Sequence, residues 1–237
     1  MTRKAKFIIN RRNTELWKED TVESVSLYND WFLNFAPTTY TNERKRAMEQ
    51  VGLAIRLTDN LQFTSMHLKE HPEFITILRM ATTPPIARDR LIGLSEVKPS
   101  FVRAMEEGRF PQRLSEQEKE VCLNRIVKVL EKLLDLELFP WIQNAGTPTV
   151  EELKVAECIM ADRLCGSLSD PIIRNEQEKR QLKVIGDFLV SEGYTYVDPK
   201  DVGSFLDMQQ GTFTYHLNVP VEMSRLGVKM PIDVVIK

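Results

Sequence analysis

Apolar residues recur every three or four positions along most of the chain, then every second position near its end. Val25, Tyr28, Trp31, Phe32 and Phe35 share one helical face, the spacing of an amphipathic helix. Ala36-Pro37 predicts its end, because proline brings no amide donor to a helix interior. Asn42 predicts the start of a second helix through Met48, Val51 and Ile55. Two capping boxes follow. Ser115 with Glu118 opens a helix carrying Val121, Ile126, Leu130, Leu133 and Leu134, and Thr149 with Glu152 opens another that Gly166 is expected to close. Asp170-Pro171 predicts a further start, a capping acid followed by proline at the first helical position, for a helix over 170–193.

The period then changes. TFTYHLNVP, residues 212–220, alternates, with Phe213, Tyr215, Leu217 and Val219 expected on one face. VKMPIDVVI follows a turn near Arg225-Leu226-Gly227, so the two runs predict a hairpin over 212–236. The fold class is α+β: a predominantly helical N-terminal region, 16–168, then a segment 169–237 in which a helix leads into a small sheet. Two strands alone are marginal, so the sheet reads as incomplete.

Composition narrows the class. Apolar residues make up 42% and charged residues 28% of 237, ordinary for a globular protein. No apolar run approaches the roughly 20 residues that cross a bilayer, and the N-terminus lacks the apolar core and cleavage site of a secretory signal. The expectation is a cytoplasmic protein with no membrane partner. Cys122, Cys158 and Cys165 form no CxxC pair; seven apart on one helical face, Cys158 and Cys165 read as buried thiols in a reducing compartment. The net charge of −2 argues against a surface coated in positive charge and leaves room for a local basic groove. Residues 1–15 form a basic arm with Arg3, Lys4, Lys6, Arg11 and Arg12, the pattern of a solvated chain end.

Candidate chemistry concentrates near the end. Asp233 sits in an apolar β run, where aspartate is depleted and a carboxylate needs water, a cation or a metal. On the preceding helix the stripe Leu182, Ile185, Leu189 extends backwards through Glu178 to Arg174, with Asn175 and Gln181 alongside. That polar end, with Arg174 and Asn175, is either a surface pair between Arg174 and Glu178 or one wall of a site beside the sheet. His67 and His71 lack the acid placement of HExxH and a third ligand. His216 reads as exposed or ordinarily hydrogen-bonded rather than catalytic.

Residues 86–111, IARDRLIGLSEVKPSFVRAMEEGRFP, resemble the helix-turn-helix of phage repressors. Leu91, Val97, Phe101, Val102 and Met105 stand at the packing positions, and Glu96 stands where the turn glycine is usual. The second helix of that motif enters the major groove, which makes Lys98, Ser100 and Arg103 candidate DNA contacts. An ordinary helical hairpin is the alternative.

Taken together, SLYNDWFLNFAPTTY (26–40), TPPIARDRLIGLSEV (83–97), MEEGRFPQR (105–113), ADRLCGSLSDPIIRNEQEKRQL (161–182), GTFTYHLNVPV (211–221) and PIDVVI (231–236) resemble the XamI-type type II restriction endonucleases. The resemblance runs in consistent order from about residue 16. It implies site-specific hydrolysis of duplex DNA with magnesium (Mg2+) in restriction-modification defence, by a homodimer, and a PD-(D/E)xK nuclease core beginning in 169–237. In such a core carboxylates hold a metal that activates water and offsets charge on the phosphate, and a lysine positions the nucleophile. Asp233 in PID matches the first catalytic acid and metal ligand; Glu178 matches the supporting helix acid. The glutamate-x-lysine strand of that core is expected after Lys237, and Lys237 has no acid two residues before it. The expectation is a nuclease interrupted after its first acid, inactive by itself, its remainder lost or carried by a separately encoded C-terminal fragment. The alternatives are a DNA-binding helical module or a helical interaction protein without catalysis.

Overall fold

The structure, a computed structural model, describes residues 13–220 and 229–237. The basic residues of the arm and the expected turn near 225–227 lie outside the described residues. The chain divides into two compact units, one formed by Leu33–Pro171 and one by Met1–Phe32 with Ile172–Lys237. Two long helices, α1 (Thr14–Leu57) and α8 (Val150–Ser191), contribute residues to both.

Both helices run through prolines that were expected to interrupt them. Pro37 lies inside α1 and Pro171 inside α8. An interior proline forfeits one backbone hydrogen bond, to the carbonyl four residues earlier. Hydroxyls bond carbonyls near each break: Thr38 Oγ1 donates to the Asn34 carbonyl at 2.9 Å, and Ser169 Oγ donates to that of Cys165 at 2.7 Å. Burial of Ala36, Ala47, Val51 and Ala54 on α1, and of Ala156, Met160, Leu164 and Cys165 on α8, holds the helices through the break. Packing of an apolar face outweighs local propensity. For the same reason Gly166 does not end α8. Of the thiols, Cys165 is buried, Cys122 half-buried and Cys158 exposed, so the shared buried face expected for Cys158 and Cys165 is not formed.

The unit Leu33–Pro171 is helical: α2 (Ser65–Glu70), α3 (Phe74–Leu78), α4 (Arg88–Ser95), α5 (Pro99–Glu106), α6 (Glu116–Leu133) and α7 (Pro140–Gln143) join the central parts of α1 and α8. Phe74, Leu78, Phe101, Leu123, Ile126, Leu130 and Phe139 belong to its continuous core. The capping box of α6 forms as expected, with Ser115 N–H donating to Glu118 Oε2 at 2.9 Å and Glu118 N–H to Ser115 Oγ at 3.2 Å. Thr149 and Glu152 cap α8 in the same way. His67 Nδ1 accepts from the Thr64 amide at 3.0 Å, and His71 stacks on Phe74, which gives each ring a local structural role.

The other unit carries a three-stranded sheet in the order β1-β2-β3, from Thr195–Tyr196, Thr212–Pro220 and Lys229–Ile236. β2 and β3 pair antiparallel, as the expected hairpin requires, with Tyr215 opposite Val234 and Leu217 opposite Ile232. β1 pairs parallel to β2; two residues leave no periodic trace in a sequence. The single apolar face expected along β2 is split. Phe213 and Tyr215 form a ring cluster with Tyr196, whereas Leu217 and Val219 join a second cluster with Val202, Met208 and Val235. Between them His216 has φ +53°, a left-handed conformation that few non-glycine residues adopt, and there the alternation changes phase.

Candidate functional site

In the sheet-bearing unit, α8 approaches β2 at Gly186. A Cβ there would collide with the Tyr215 hydroxyl oxygen, and that hydroxyl donates to the Leu182 carbonyl at 2.9 Å. Leu182, Gly186 and Leu189 therefore mark the inward line of this part of α8, with Leu189 buried and Ile185 39% exposed. The expected stripe through Ile185 is displaced by one position. Four residues before Leu182 on the same line stands Glu178.

Glu178 meets β2 at His216, with Nε2 and Oε1 at 3.6 Å. The partner of Glu178 is thus a strand histidine, not the Arg174 four residues earlier. By register, residue 216 stands opposite 233, between the paired positions Tyr215↔Val234 and Leu217↔Ile232. Asp233 completes the group: one ligand atom each from Glu178, His216 and Asp233 lies within 4.8 Å of the others, and all three residues are exposed. Two carboxylates and an imidazole bound to one ion at about 2.0–2.6 Å stand at most about 4–5 Å apart. The donor set and its spacing fit a divalent cation.

The structure thus brings together the two acids singled out in the sequence, Asp233 and Glu178, and adds His216. Arg174 and Asn175 are exposed on α8, one turn before Glu178. Lys237 turns to other partners. Its Nζ donates to the carbonyls of Leu206 at 2.7 Å and Phe205 at 3.3 Å, and its amide donates to the Thr212 carbonyl at 3.0 Å.

Sequence reasoning had one signal for His216 and did not use it. That signal was a second polar residue in the paired run: with Tyr215 opposite Val234 and Leu217 opposite Ile232, His216 faces the anomalous aspartate across the ladder. Its left-handed backbone left no mark in the residue types.

In the helical unit, α4 and α5 are the two helices of the repressor-like segment. Glu96, at φ +52°, caps α4 in the left-handed conformation that the motif usually gives to glycine. Leu91, Val97, Phe101, Val102 and Met105 are all buried, as the packing positions of the motif require. Lys98 is the N-cap of α5, and Lys98, Ser100 and Arg103 are all exposed. Glu106 at the end of α5 braces the segment, pairing with Arg79 at 2.8 Å and with Arg88 Nε at 2.5 Å. These groups and Arg163 line a cleft of about 680 Å³. Each guanidinium there has an acid partner, Glu106 for Arg79 and Arg88, Asp135 for Arg163 at 3.1 Å. Burial lowers the pKa of Arg79, the attraction of Glu106 opposing it. Three guanidinium groups thus share two carboxylates, with Glu106 serving both Arg79 and Arg88.

No helix of the described residues is long and apolar enough to cross a membrane. The family model of the XamI restriction endonucleases matches residues 59–237, a span that includes the acid–histidine cluster and the repressor-like helices. The type II restriction enzyme SalI of Streptomyces albus G is 40% identical over 231 residues, 97% of this chain and 73% of that protein. No solved structure matches. On the family match and this relative together, the chain belongs to the XamI restriction endonuclease family.

Proposed function

We propose that this chain takes part in magnesium-dependent, site-specific hydrolysis of both strands of duplex DNA in restriction-modification defence, with Asp233 and Glu178 holding the cation. The observation that carries this reading is the convergence of Asp233 on β3 with Glu178 on α8, their ligand atoms lying within 4.8 Å of each other and of a third group. Two carboxylates this close repel unless a cation or proton stands between them. When bound, magnesium supplies Lewis-acid stabilisation of the phosphate charge and lowers the pKa of a coordinated water. Oxygen donors suit that ion. Exposure of all three residues leaves room for a phosphodiester to approach. The segment 169–237 is then the acid-bearing part of a PD-(D/E)xK core.

Lys98, Ser100 and Arg103 on α5 are assigned to the DNA, as are Arg174 and Asn175 beside Glu178. Their exposed polar and basic groups suit phosphate and base-edge contacts. The lysine that positions the nucleophile in such cores is not Lys237, whose ammonium is bound to the Phe205 and Leu206 carbonyls. We assign that role to the lysine of a glutamate-x-lysine strand, the element that the family resemblance implies beside the first acid. The enzyme is read as a homodimer, because a two-fold assembly suits cleavage of both strands, and as cytoplasmic, where the DNA lies.

The test is plasmid cleavage by the chain supplied with a strand bearing glutamate-x-lysine, with and without magnesium. Magnesium-dependent cutting that Asp233→Ala removes is the expected result. Cutting untouched by Asp233→Ala and Glu178→Ala overturns the assignment.

A further inference from the structure

We propose that the His216 imidazole is a third, nitrogen ligand of the cation that Asp233 and Glu178 hold, so that the site takes cobalt(II) in preference to calcium or magnesium. The inference rests on the cation-binding reading above and adds to it a residue and an ion preference.

The Nε2–Oε1 separation of 3.6 Å between His216 and Glu178 is longer than a hydrogen bond, which needs about 2.7–3.2 Å. It is the separation of two neighbouring donors on one ion, each bonded at about 2.0–2.3 Å. With Asp233 the donor atoms stay within 4.8 Å of one another, within the span of three donors that share one ion. The backbone supports the same reading. Residue 216 is missing from a ladder whose neighbours on both sides are paired, and its φ of +53° takes it out of the strand's regular course. An ordinary exposed strand residue needs no such conformation, and an unusual one commonly accompanies a functional position.

The donor chemistry then sets the ion. Magnesium and calcium take oxygen ligands, whereas imidazole favours first-row transition ions, whose affinities rise along the series past manganese. A Glu-His-Asp set is therefore a mixed site. Without His216 the two carboxylates form an oxygen-only site that discriminates less.

Two measurements on the 237-residue chain test this. Pulsed electron paramagnetic resonance with manganese(II) as the probe is expected to show nitrogen modulation that changes its pattern in protein grown with 15N-histidine. Calorimetry is expected to show that His216→Asn weakens cobalt(II) at least about tenfold, the loss that even supporting partners of a metal ligand bring. Calcium affinity is expected to stay within about twofold, because calcium draws on the oxygens. Asparagine is chosen because it tolerates the left-handed backbone. Manganese that binds in an Asp233-dependent way without nitrogen modulation overturns the role of His216 and leaves the carboxylate reading standing. Equal loss of cobalt and calcium in His216→Asn makes His216 a spacer and also overturns it. Binding of neither manganese nor cobalt that responds to Asp233→Ala overturns both readings. The spectroscopic test on the unsubstituted chain decides the matter even where the variant misfolds.

Discussion

Tyr215 lies against Gly186, its hydroxyl donating to the Leu182 carbonyl one turn away at 2.9 Å, in space that any Cβ at 186 would occupy. The contact fixes the register of α8 on β2. Because 178, 182 and 186 fall on one helical line, it also fixes Glu178 beside His216. Gly186→Ala is expected to destabilise the protein by about 1–3 kcal/mol through overpacking, net of the gain alanine brings to a helix. Gly166→Ala is the control: it lies in the same helix with no atom within 4 Å of its added Cβ, and it should gain up to about 1 kcal/mol. Urea unfolding of the two variants measures the difference, and equal responses would separate the Gly186 contact from the fold.

Glu106 joins Arg79 and Arg88, and the side chains of Glu106 and Arg79 are each only 11% exposed. Glu106→Ala leaves a buried guanidinium without its counter-charge. The expected loss is about 3–5 kcal/mol, the usual result of removing one partner of a buried pair. A loss below 1 kcal/mol in denaturant unfolding would mean that solvent reaches Arg79 and takes over the role of Glu106.

Glu96 carries the left-handed turn between α4 and α5 at φ +52°. A residue with a Cβ pays about 1–2 kcal/mol in that region, and glycine loses about 0.5–1 kcal/mol in chain entropy. Glu96→Gly is therefore expected to stabilise the protein by about 0.5–1 kcal/mol. A fall in the urea midpoint would show that Glu96 makes contacts worth more than its strain.

Much of this architecture was legible in residue types. Ser115 with Glu118 and Thr149 with Glu152 announced two helix starts, because a capping box needs only side chains four residues deep. The pairing of β2 with β3 followed from period-two alternation, whereas the register was read only from the structure. Pro37 and Pro171 misled, because the tertiary burial that carries α1 and α8 through them is not a local property. The cluster was half legible. Asp233 betrays itself as an acid in an apolar strand and Glu178 as an acid continuing an apolar line. His216 depends on a backbone torsion and on which face of α8 meets β2, and Gly186 is the residue that encodes the second.

For DNA, Arg103 and Lys98 separate two kinds of contact. Arg103→Ala is expected to weaken specific binding by about 1–3 kcal/mol and relax discrimination at one base pair, as loss of a base contact does. Lys98→Ala is expected to weaken binding to all duplexes alike and to lower the slope of log K against log salt by about one. Titrations of specific and random duplexes over a salt series distinguish these. Binding unchanged by both substitutions would move recognition off α5.

The last expectation concerns catalysis by the 237-residue chain by itself. Asp233 and Glu178 offer two carboxylates, His216 a third donor, and Lys237 has its ammonium tied to the Phe205 and Leu206 carbonyls. Magnesium sheds its waters reluctantly and is held well only by well-placed oxygens. A water without a positioning lysine is also less well aimed at the phosphorus. Members of a catalytic unit act together, so removing one typically lowers the rate by several orders of magnitude. The chain by itself is accordingly expected to bind cation and DNA but to nick plasmid slowly. Adding a segment bearing glutamate-x-lysine should raise the rate by about a thousandfold or more, and Asp233→Ala should return it to background. Rapid site-specific cutting by the chain by itself would show that some other group already positions the water. The same Asp233→Ala substitution would then tell whether that group works on the cation held here.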